Sequence, residues 1–238
     1  MQTYQMPTQA VILAGGLGTR LRSVVRDVPK PMAAIGERPF LSYLLDECVR
    51  YGIRDAILAV GYLHETIRQY FGDTYKGMRL QYAIENEPLG TGGAVKQALC
   101  YCQPDMPAFV LNGDTLFAAD WQQLYQCYIQ QGADIAISLR TMHHFDRYGV
   151  VETDSTGRVT AFCEKQYREI GNINGGIYVL SPILLCNYPD RFSLEQDVLS
   201  VSVQRYRLYA HISKSYFIDI GIPDDYRRAQ TELPQLFG

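Results

Sequence analysis

The chain has no excess of positive charge, and this limits what it can bind. Its 238 residues carry 22 Lys and Arg against 25 Asp and Glu, a formal net charge of −3. Without a basic field, neither nucleic acid nor an anionic membrane surface is expected as a partner. An anionic ligand must therefore be held by a few placed cations and by backbone N–H groups.

Long apolar segments and paired cysteines are missing as well. No apolar run approaches the roughly 18–20 residues that cross a bilayer, and the N-terminal MQTYQMPTQA lacks the pattern of a signal peptide. No C-x-x-C pair occurs, so neither a zinc site nor a redox motif is indicated. The six cysteines are Cys48, Cys100, Cys102, Cys127, Cys163 and Cys186. We expect a soluble, cytoplasmic protein with reduced thiols.

Apolar segments alternate with helical patterns in the first half of the chain. Gln9–Ala14 is short, β-branched and apolar, as a buried parallel strand should be. Further strands are predicted at Ala56–Val60, Leu80–Ile84, Ala108–Leu111 and Ile135–Leu139. Helices are predicted between them at Phe40–Tyr51, His64–Phe71, Gly92–Cys100 and Trp121–Gln131. The alternation predicts an α/β, Rossmann-like fold, with a mostly parallel central sheet and helices on both faces.

The second half is richer in strands and turns. Before a final helix at Asp224–Leu233, strands are predicted at Val150–Thr153, Val159–Glu164, Gly176–Leu180, Leu208–Ile212 and Tyr216–Ile220. We expect these as antiparallel additions to the same sheet. Since no linker or repeat interrupts the chain, and its hydrophobic content of 47% suffices for one sizeable core, residues 1–238 are predicted to form a single domain.

A glycine-rich loop follows the first strand directly. Leu13–Leu21 reads LAGGLGTRL, and its glycines allow a backbone that approaches a ligand closely and points N–H groups at phosphates. Ligands of open α/β sheets bind at the carboxyl ends of strands, where this loop lies. It is not a Walker A motif, because no Gly-Lys-Ser/Thr follows, and Leu21 stands where a dinucleotide fingerprint needs its third glycine. An ordinary glycine-rich turn is the alternative.

Further along, Pro29 and Pro31 flank Lys30 in the run PKPM. Proline fixes φ and stiffens the loop, so the lysine is presented with little entropy to lose. A solvated lysine is the alternative. Close to Arg20, Lys30 would be a second cation for phosphate charge.

The run GGLGTRL followed by PKPM resembles the sugar-1-phosphate nucleotidylyltransferase family, whose members join a nucleoside monophosphate from an NTP to a sugar 1-phosphate. Further matches cover nearly the whole chain. They are EPLGTGGA at 87–94, NGD at 112–114, YGVV at 148–151, EK at 164–165, NGGIY at 174–178 and DIGIP at 219–223.

The resemblance implies a role for each group of matching residues. Catalytic cations would be Arg20, Lys30 and Lys165. Mg²⁺ would be held by Asp114 and Asp219, which suits its preference for carboxylates and phosphates. Nucleotide-binding residues would be Leu13, Ala14, Gly15, Gly16, Gly18, Thr19, Glu85, Gly90 and Thr91. Sugar-binding residues would be Asn112, Gly149, Glu164 and Asn174. Residues 1–140 would form the nucleotide-binding half and 141–238 the sugar-phosphate half. Turn residues and a solvated Glu-Lys pair are the alternatives.

Glu85 bears on the choice of base. Relatives that use uridine or thymidine nucleotides commonly have Gln at this place, whereas a carboxylate only accepts hydrogen bonds and suits the two-donor edge of guanine. With FSLEQD at 192–197, the chain resembles the D-glycero-α-D-manno-heptose-1-phosphate guanylyltransferases. This implies GTP and a heptose 1-phosphate as substrates, and GDP-heptose for surface polysaccharides as product. Some relatives are homo-oligomers.

Other functions remain open at this point. Within the same class, the chain could be a mannose-1-phosphate guanylyltransferase, or a uridylyl- or thymidylyltransferase acting on a hexose 1-phosphate. A GT-A glycosyltransferase typically has Asp-x-Asp, but Leu116 follows Asp114 and Thr115 here. An inactive regulator that binds sugar nucleotides is the remaining alternative, although such proteins usually lose Arg20, Lys30 or Asp114.

Overall fold

One eight-stranded sheet organises the protein. The computed structural model describes residues 5–16 and 28–237. In chain order the strands are β1 (Gln9–Leu13), β2 (Ala34–Ile35), β3 (Arg38–Pro39), β4 (Asp55–Val60), β5 (Thr74–Tyr75), β6 (Met78–Ile84), β7 (Ala108–Asn112), β8 (Thr115–Phe117), β9 (Ile135–Phe145), β10 (Val151–Thr153), β11 (Val159–Phe162), β12 (Arg168–Leu180), β13 (Leu208–Ser213) and β14 (Phe217–Asp219). The main sheet has the order β13-β9-β12-β7-β1-β4-β6-β5.

Helices connect most of these strands. They are α1 (Phe40–Arg50), α2 (His64–Phe71), α3 (Gly90–Leu99), α4 (Trp121–Gln130), α5 (Ser200–Arg205) and α6 (Pro223–Phe237). A short 3₁₀ turn covers Lys30–Met32, and a π-helical segment covers Leu194–Leu199. The predicted helix at His64–Phe71 has the bounds of α2, and the other predicted helices lie within a few residues of those observed.

The sheet is mostly parallel, as predicted. β1 runs parallel to β4 and β7, β4 to β6, and β9 to β13. β12 lies antiparallel between β7 and β9, and β5 is antiparallel to β6 at the far edge. The antiparallel addition in the second half of the chain is therefore β12, which contains the predicted strand at Gly176–Leu180.

The placement of the other late strands was predicted wrongly. Leu208–Ile212 belongs to β13, which joins the sheet in parallel because α5 carries the chain back before it begins. Val150–Thr153 and Val159–Glu164 form a separate antiparallel pair, β10 with β11. Tyr216–Ile220 contains β14, which pairs with β8 away from the main sheet. Local apolar patterns mark these segments as strands but carry no information on their partners.

Alternation along the strands divides the core between the two faces of the sheet. Successive side chains of a strand point to opposite sides, so Ala10 and Ile12 pack on one face with Trp121. Val11 packs on the other face with Val95 of α3. Helices α1, α4 and α6 contribute to the first core, while α3 and the π-helical segment contribute to the second. This confirms the layered α/β architecture.

The parallel strands also bring two motif-bearing loops together. β1 and β7 pair with Leu13 opposite Asn112, so the glycine-rich loop and the Asn-Gly-Asp turn begin side by side. A Cβ on Gly113 would overlap the backbone carbonyl of Leu13, which is why this close approach requires glycine.

Two further findings concern membranes and thiols. Within residues 5–16 and 28–237, no helix is both long enough and apolar enough to cross a membrane. All six cysteines are unpaired.

The start of α4 offers a test of local stability. Asp120 Oδ1 accepts hydrogen bonds from Gln122 N at 2.9 Å and Gln123 N at 3.1 Å. Asp120→Ala should lower the free energy of unfolding by about 1 kcal/mol, because two backbone donors lose their acceptor. Urea unfolding followed by the fluorescence of Trp121, the only tryptophan, measures this. Asp120→Asn keeps a capping oxygen and should stay near wild type; equal stability of all three proteins would show that the cap contributes nothing.

Candidate active site

Two carboxylates and a lysine meet beyond the carboxyl ends of the central strands. Asp219 ends β14 and pairs across the ribbon with Thr115, the neighbour of Asp114. Ile220 N donates to the Asp114 carbonyl at 3.0 Å. Lys30 Nζ lies 2.5 Å from Asp114 Oδ2 and 3.7 Å from Asp219 Oδ1. Residues distant in sequence thus form one charged cluster.

Local structure fixes the lysine in this place. Lys30 begins the 3₁₀ turn between two prolines, and the buried Pro31 and Met32 anchor that turn. Met32 N donates to the Pro29 carbonyl at 2.8 Å. The Lys30 side chain is only 11% exposed, so its ammonium group is held at the carboxylates and does not sample solvent widely.

The electrostatics of the cluster suit a divalent cation. Burial, and then the nearby charge of Asp114, raise the pKa of the Asp219 carboxyl, while Lys30 opposes the shift. A cation that binds beside such a carboxyl stabilises its ionised form. Across the described residues no three His, Cys, Asp or Glu side chains group into a metal cage. Two carboxylates still fit Mg²⁺, which usually takes one or two of them and fills its other positions with water and phosphate.

A second layer of polar residues surrounds the carboxylates. Tyr148 OH lies 3.5 Å from Asp219 Oδ2, and burial raises its pKa, so it stays protonated and can donate. Arg147 Nη2 donates to the buried Asp225 at 2.6 Å. Arg147 and Asp225 were missed in the sequence, since nothing in a lone Arg and a helix-start Asp indicates that they meet.

The described part of the glycine-rich loop lies against Glu85. A Cβ on Gly15 would stand 2.9 Å from Glu85 Oε1, whereas a Cβ on Gly16 would meet no atom of residues 5–16 and 28–237 within 4 Å. Glu85 Oε2 accepts from Leu89 N at 3.0 Å. Burial raises the Glu85 pKa, and the Leu89 N–H partly offsets this. Leu13 ends β1, and Ala14 N donates to the Ala59 carbonyl at 2.8 Å. Gly18, Thr19 and Arg20 lie outside the described residues.

Helix α3 begins beside this carboxylate. Gly90 has φ +73°, and a Cβ there would lie 2.6 Å from the Phe192 carbonyl oxygen. Thr91 Oγ1 donates to Glu195 Oε2 at 2.6 Å and accepts from Leu194 N at 2.9 Å. The Thr91 hydroxyl therefore bonds to the π-helical segment.

A cavity of about 720 Å³ opens next to the carboxylates. It contains all the sugar-phosphate residues predicted from the sequence, together with the two acidic ones. Its walls include Asn112, Asp114, Gly149, Glu164, Lys165, Asn174 and Asp219. Lys165 is exposed and has no ion-pair partner within the described ranges, so its charge is available to a ligand. A Cβ on Gly149 would overlap the Cys163 carbonyl, which explains the glycine.

The buried Tyr178 interacts with the side-chain amides of two residues that line this cavity, Asn174 and Asn112. Asn174 Nδ2 donates to Tyr178 OH at 2.7 Å, and its Oδ1 accepts from Gly176 N at 2.9 Å. The Asn112 amide also acts on the Tyr178 hydroxyl and, like Asn174, opposes the rise of its pKa that burial causes. A register shift in β12 between Asn174 and Tyr178, with Gly176 at φ +75°, makes this geometry possible.

The side-chain oxygen of Asn112 has no hydrogen-bond donor beside it among the described residues. This Oδ1 atom is buried. Such acceptors are costly to leave unpaired, and Asn112 is also one of the residues that line the cavity.

The described residues of the site are suited to position phosphates. Lys30 and a bound cation would neutralise phosphate charge, the cavity would hold a polyol, and Lys165 would face its phosphate. Charge stabilisation and alignment are the usual means by which proteins catalyse transfer at phosphorus.

Comparison with known proteins agrees with this geometry. The family model described as "Nucleotidyl transferase" matches residues 9–235. The D-glycero-alpha-D-manno-heptose 1-phosphate guanylyltransferase of Aneurinibacillus thermoaerophilus is 48% identical over 227 residues, which are 94% of this chain and 98% of that protein. Its counterpart from Campylobacter jejuni is 43% identical and covers 92% of this chain and 96% of the relative.

A solved structure shares the fold. HddC from Yersinia pseudotuberculosis, complexed with GMP-PN, matches with a TM-score of 0.84 and 39% identity, over 94% of this chain and 98% of that one. The full-length family match, the two relatives and the cluster of Lys30, Asp114 and Asp219 lead to one conclusion: the chain belongs to the nucleotidyl transferase family.

Proposed function

We propose that the chain transfers a guanylyl group from GTP to a heptose 1-phosphate, forming GDP-D-glycero-α-D-manno-heptose and pyrophosphate. The observation that carries this proposal is Lys30, hydrogen-bonded to Asp114 and 3.7 Å from Asp219, beside a sugar-sized polar cavity. The two guanylyltransferase relatives, which match over nearly their full length, support the choice of substrates.

The residues divide the reaction between them. Residues 1–140 hold the nucleotide and 141–238 the sugar phosphate. Arg20 and Lys30 bind the triphosphate and stabilise the departing pyrophosphate. Lys165 holds the sugar phosphate so that its oxygen attacks the α-phosphorus in line. Alignment of two anions in this way removes much of the entropic barrier to their reaction.

A divalent metal would bind at Asp114 and Asp219, and we propose Mg²⁺. When bound, it would supply positive charge at the phosphates during transfer. Tyr148, as a donor beside Asp219, orients that carboxylate. The unpaired cysteines fit a cytoplasmic enzyme, and its product would serve surface polysaccharide synthesis. Assembly into a homo-oligomer stays a prediction from the resemblance.

Glu85 is proposed to recognise the base. Its half-buried carboxylate lies against Gly15 and close to the start of α3. Its oxygens accept hydrogen bonds and match the N1–H and N2–H₂ donors of guanine. Uracil and thymine present a carbonyl next to their N–H, which a carboxylate repels.

A substrate panel tests the proposed function. Pyrophosphate release should be fastest with GTP and D-glycero-α-D-manno-heptose 1-phosphate, slower with mannose 1-phosphate, and low with UTP or dTTP. A uridylyl- or thymidylyltransferase would reverse the nucleotide preference. Turnover of a preformed sugar nucleotide with no pyrophosphate would indicate a glycosyltransferase, and ligand binding without any turnover would indicate a regulator.

Removal of charge at the cluster tests the roles of Lys30 and Asp114. Lys30→Ala and Asp114→Ala should each lower kcat by at least about 100-fold, because each removes a group placed at developing or transferred charge. Circular dichroism should show an intact fold. Lys214→Ala, at an exposed lysine, is the matched control and should turn over normally. Rates within a few-fold of wild type in either cluster variant would contradict these assignments.

A single substitution tests base recognition. Glu85→Gln keeps the shape and the acceptor for Leu89 N but replaces an accepting oxygen with a donor. The preference for GTP over UTP, measured as the ratio of kcat/KM values, should fall by about 10- to 100-fold, the range expected for a hydrogen bond to a charged group. Glu87→Gln, in the same loop and exposed, is the control. An unchanged ratio in Glu85→Gln would remove Glu85 from base recognition.

A further inference from the structure

The π-helical segment Leu194–Leu199 forms a wall of the cavity that the mechanism above does not use. Such segments are rare and often occur at functional sites. Ser193, the residue before this segment, caps it: the Ser193 Oγ accepts a hydrogen bond from Gln196 N at 3.1 Å. The residues that it turns toward the cavity include Glu195, Gln196 and Leu199. Glu195 is the only carboxylate among them.

One oxygen of Glu195 is anchored and the other is available. Oε2 accepts from Thr91 Oγ1 at 2.6 Å and from Ser193 Oγ at 3.2 Å. Oε1 has no hydrogen-bond partner within residues 5–16 and 28–237. The carboxylate is thus held in one orientation before any ligand arrives, and a preorganised acceptor costs a ligand little to use.

The carboxylate and the amide pair line the same cavity. Asn112, Asn174 and Glu195 are all among its walls, and the charge of Glu195 adds to burial in raising the pKa of the Tyr178 hydroxyl. The Tyr178 hydroxyl bonds to Asn174 Nδ2 at 2.7 Å. A ligand in the cavity therefore meets amide groups and an acidic acceptor in the same region.

Chemistry restricts what Glu195 can contact. An ionised carboxylate accepts hydrogen bonds and donates none, so it repels phosphate oxygens and favours hydroxyl groups. Two sources of hydroxyls are present in the reaction: the sugar of the sugar 1-phosphate and the ribose of the nucleotide. Glu195 lines the same cavity as Glu164, Lys165 and Asn174, which favours the sugar.

We propose that Glu195 is a specificity-determining residue whose Oε1 accepts hydrogen bonds from hydroxyls of the sugar, in an orientation fixed by Thr91. This inference rests on the proposed nucleotidyl transfer to a sugar 1-phosphate and extends it to a residue that the motifs did not assign. Thr91 is then a positioning residue, since it acts through Glu195.

The test separates the two substrates kinetically. Glu195→Gln should raise KM for heptose 1-phosphate about 10-fold or more. The Thr91 hydroxyl would keep its hydrogen bond to the side-chain oxygen of the glutamine, so an NH₂ donor would face the sugar in place of the accepting Oε1. KM for GTP should not change. Thr91→Val should raise the sugar KM in the same direction. Glu169→Gln, at an exposed glutamate of β12, is the matched control.

Deoxy sugars locate the contact. Mannose 1-phosphate and its monodeoxy derivatives are compared in wild type and Glu195→Gln. For a sugar that lacks the hydroxyl bound by Glu195, the substitution should add no further penalty, as in a double-mutant cycle. An equal penalty for every sugar, including those lacking one hydroxyl each, would overturn the proposal, and so would a rise in KM for GTP that disappears with 2′-deoxy-GTP.

Failure of this inference differs from failure of the proposed function. If the wild-type enzyme releases no pyrophosphate with GTP and any sugar 1-phosphate, the proposed function fails and the inference with it. If wild-type turnover is normal and Glu195→Gln is indistinguishable from Glu169→Gln, only the role of Glu195 is refuted.

Discussion

The site depends on keeping two carboxylates close together next to a buried ammonium group. Burial, and then repulsion by the nearby charge of Asp114, raise the pKa of the Asp219 carboxyl. The Lys30 ammonium group opposes this rise in pKa, because it bonds to Asp114 and approaches Asp219. Two carboxylates outnumber the single ammonium group, and this excess of negative charge would attract the divalent cation proposed above. The close contact of β1 with β7 and the β8–β14 ribbon serve to hold these groups in place.

Much of the fold follows from local patterns. The alternation of apolar strands and amphipathic helices was sufficient to predict the mostly parallel sheet, because burial on both faces leaves a continuous apolar strand such as Gln9–Leu13. Pairing between late strands was not accessible in the same way. β13 is parallel and β14 leaves the main sheet, and both facts depend on long-range contacts that periodicity along a single strand does not contain.

The candidate site shows the same division. Lys30, Asp114 and Asp219 stand in motifs whose residue types suit phosphate and metal, and the structure brings them together. Glu195 lies in a segment that served only as a mark of resemblance, and Tyr178 in one where only Asn174 was given a role. Arg147 and Asp225 carry no signal at all, because their importance comes from a mutual contact. Motifs thus indicate candidate ligand-binding residues more readily than they indicate the residues that hold those side chains in position.

The contact between α3 and the segment before the π-helix has a consequence for how sugar preference can change. Gly92 and Gly93 donate to the Phe192 carbonyl, and a Cβ on either would overlap Phe192 or Asp190. Together with the Thr91–Glu195 bond, this ties the start of α3, next to Glu85, to the π-helical wall of the cavity. Grafting a new sugar wall from a relative would therefore require residues 89–93 to be exchanged with it. In this family, acceptor selectivity is expected to evolve in two sequence blocks that change in step.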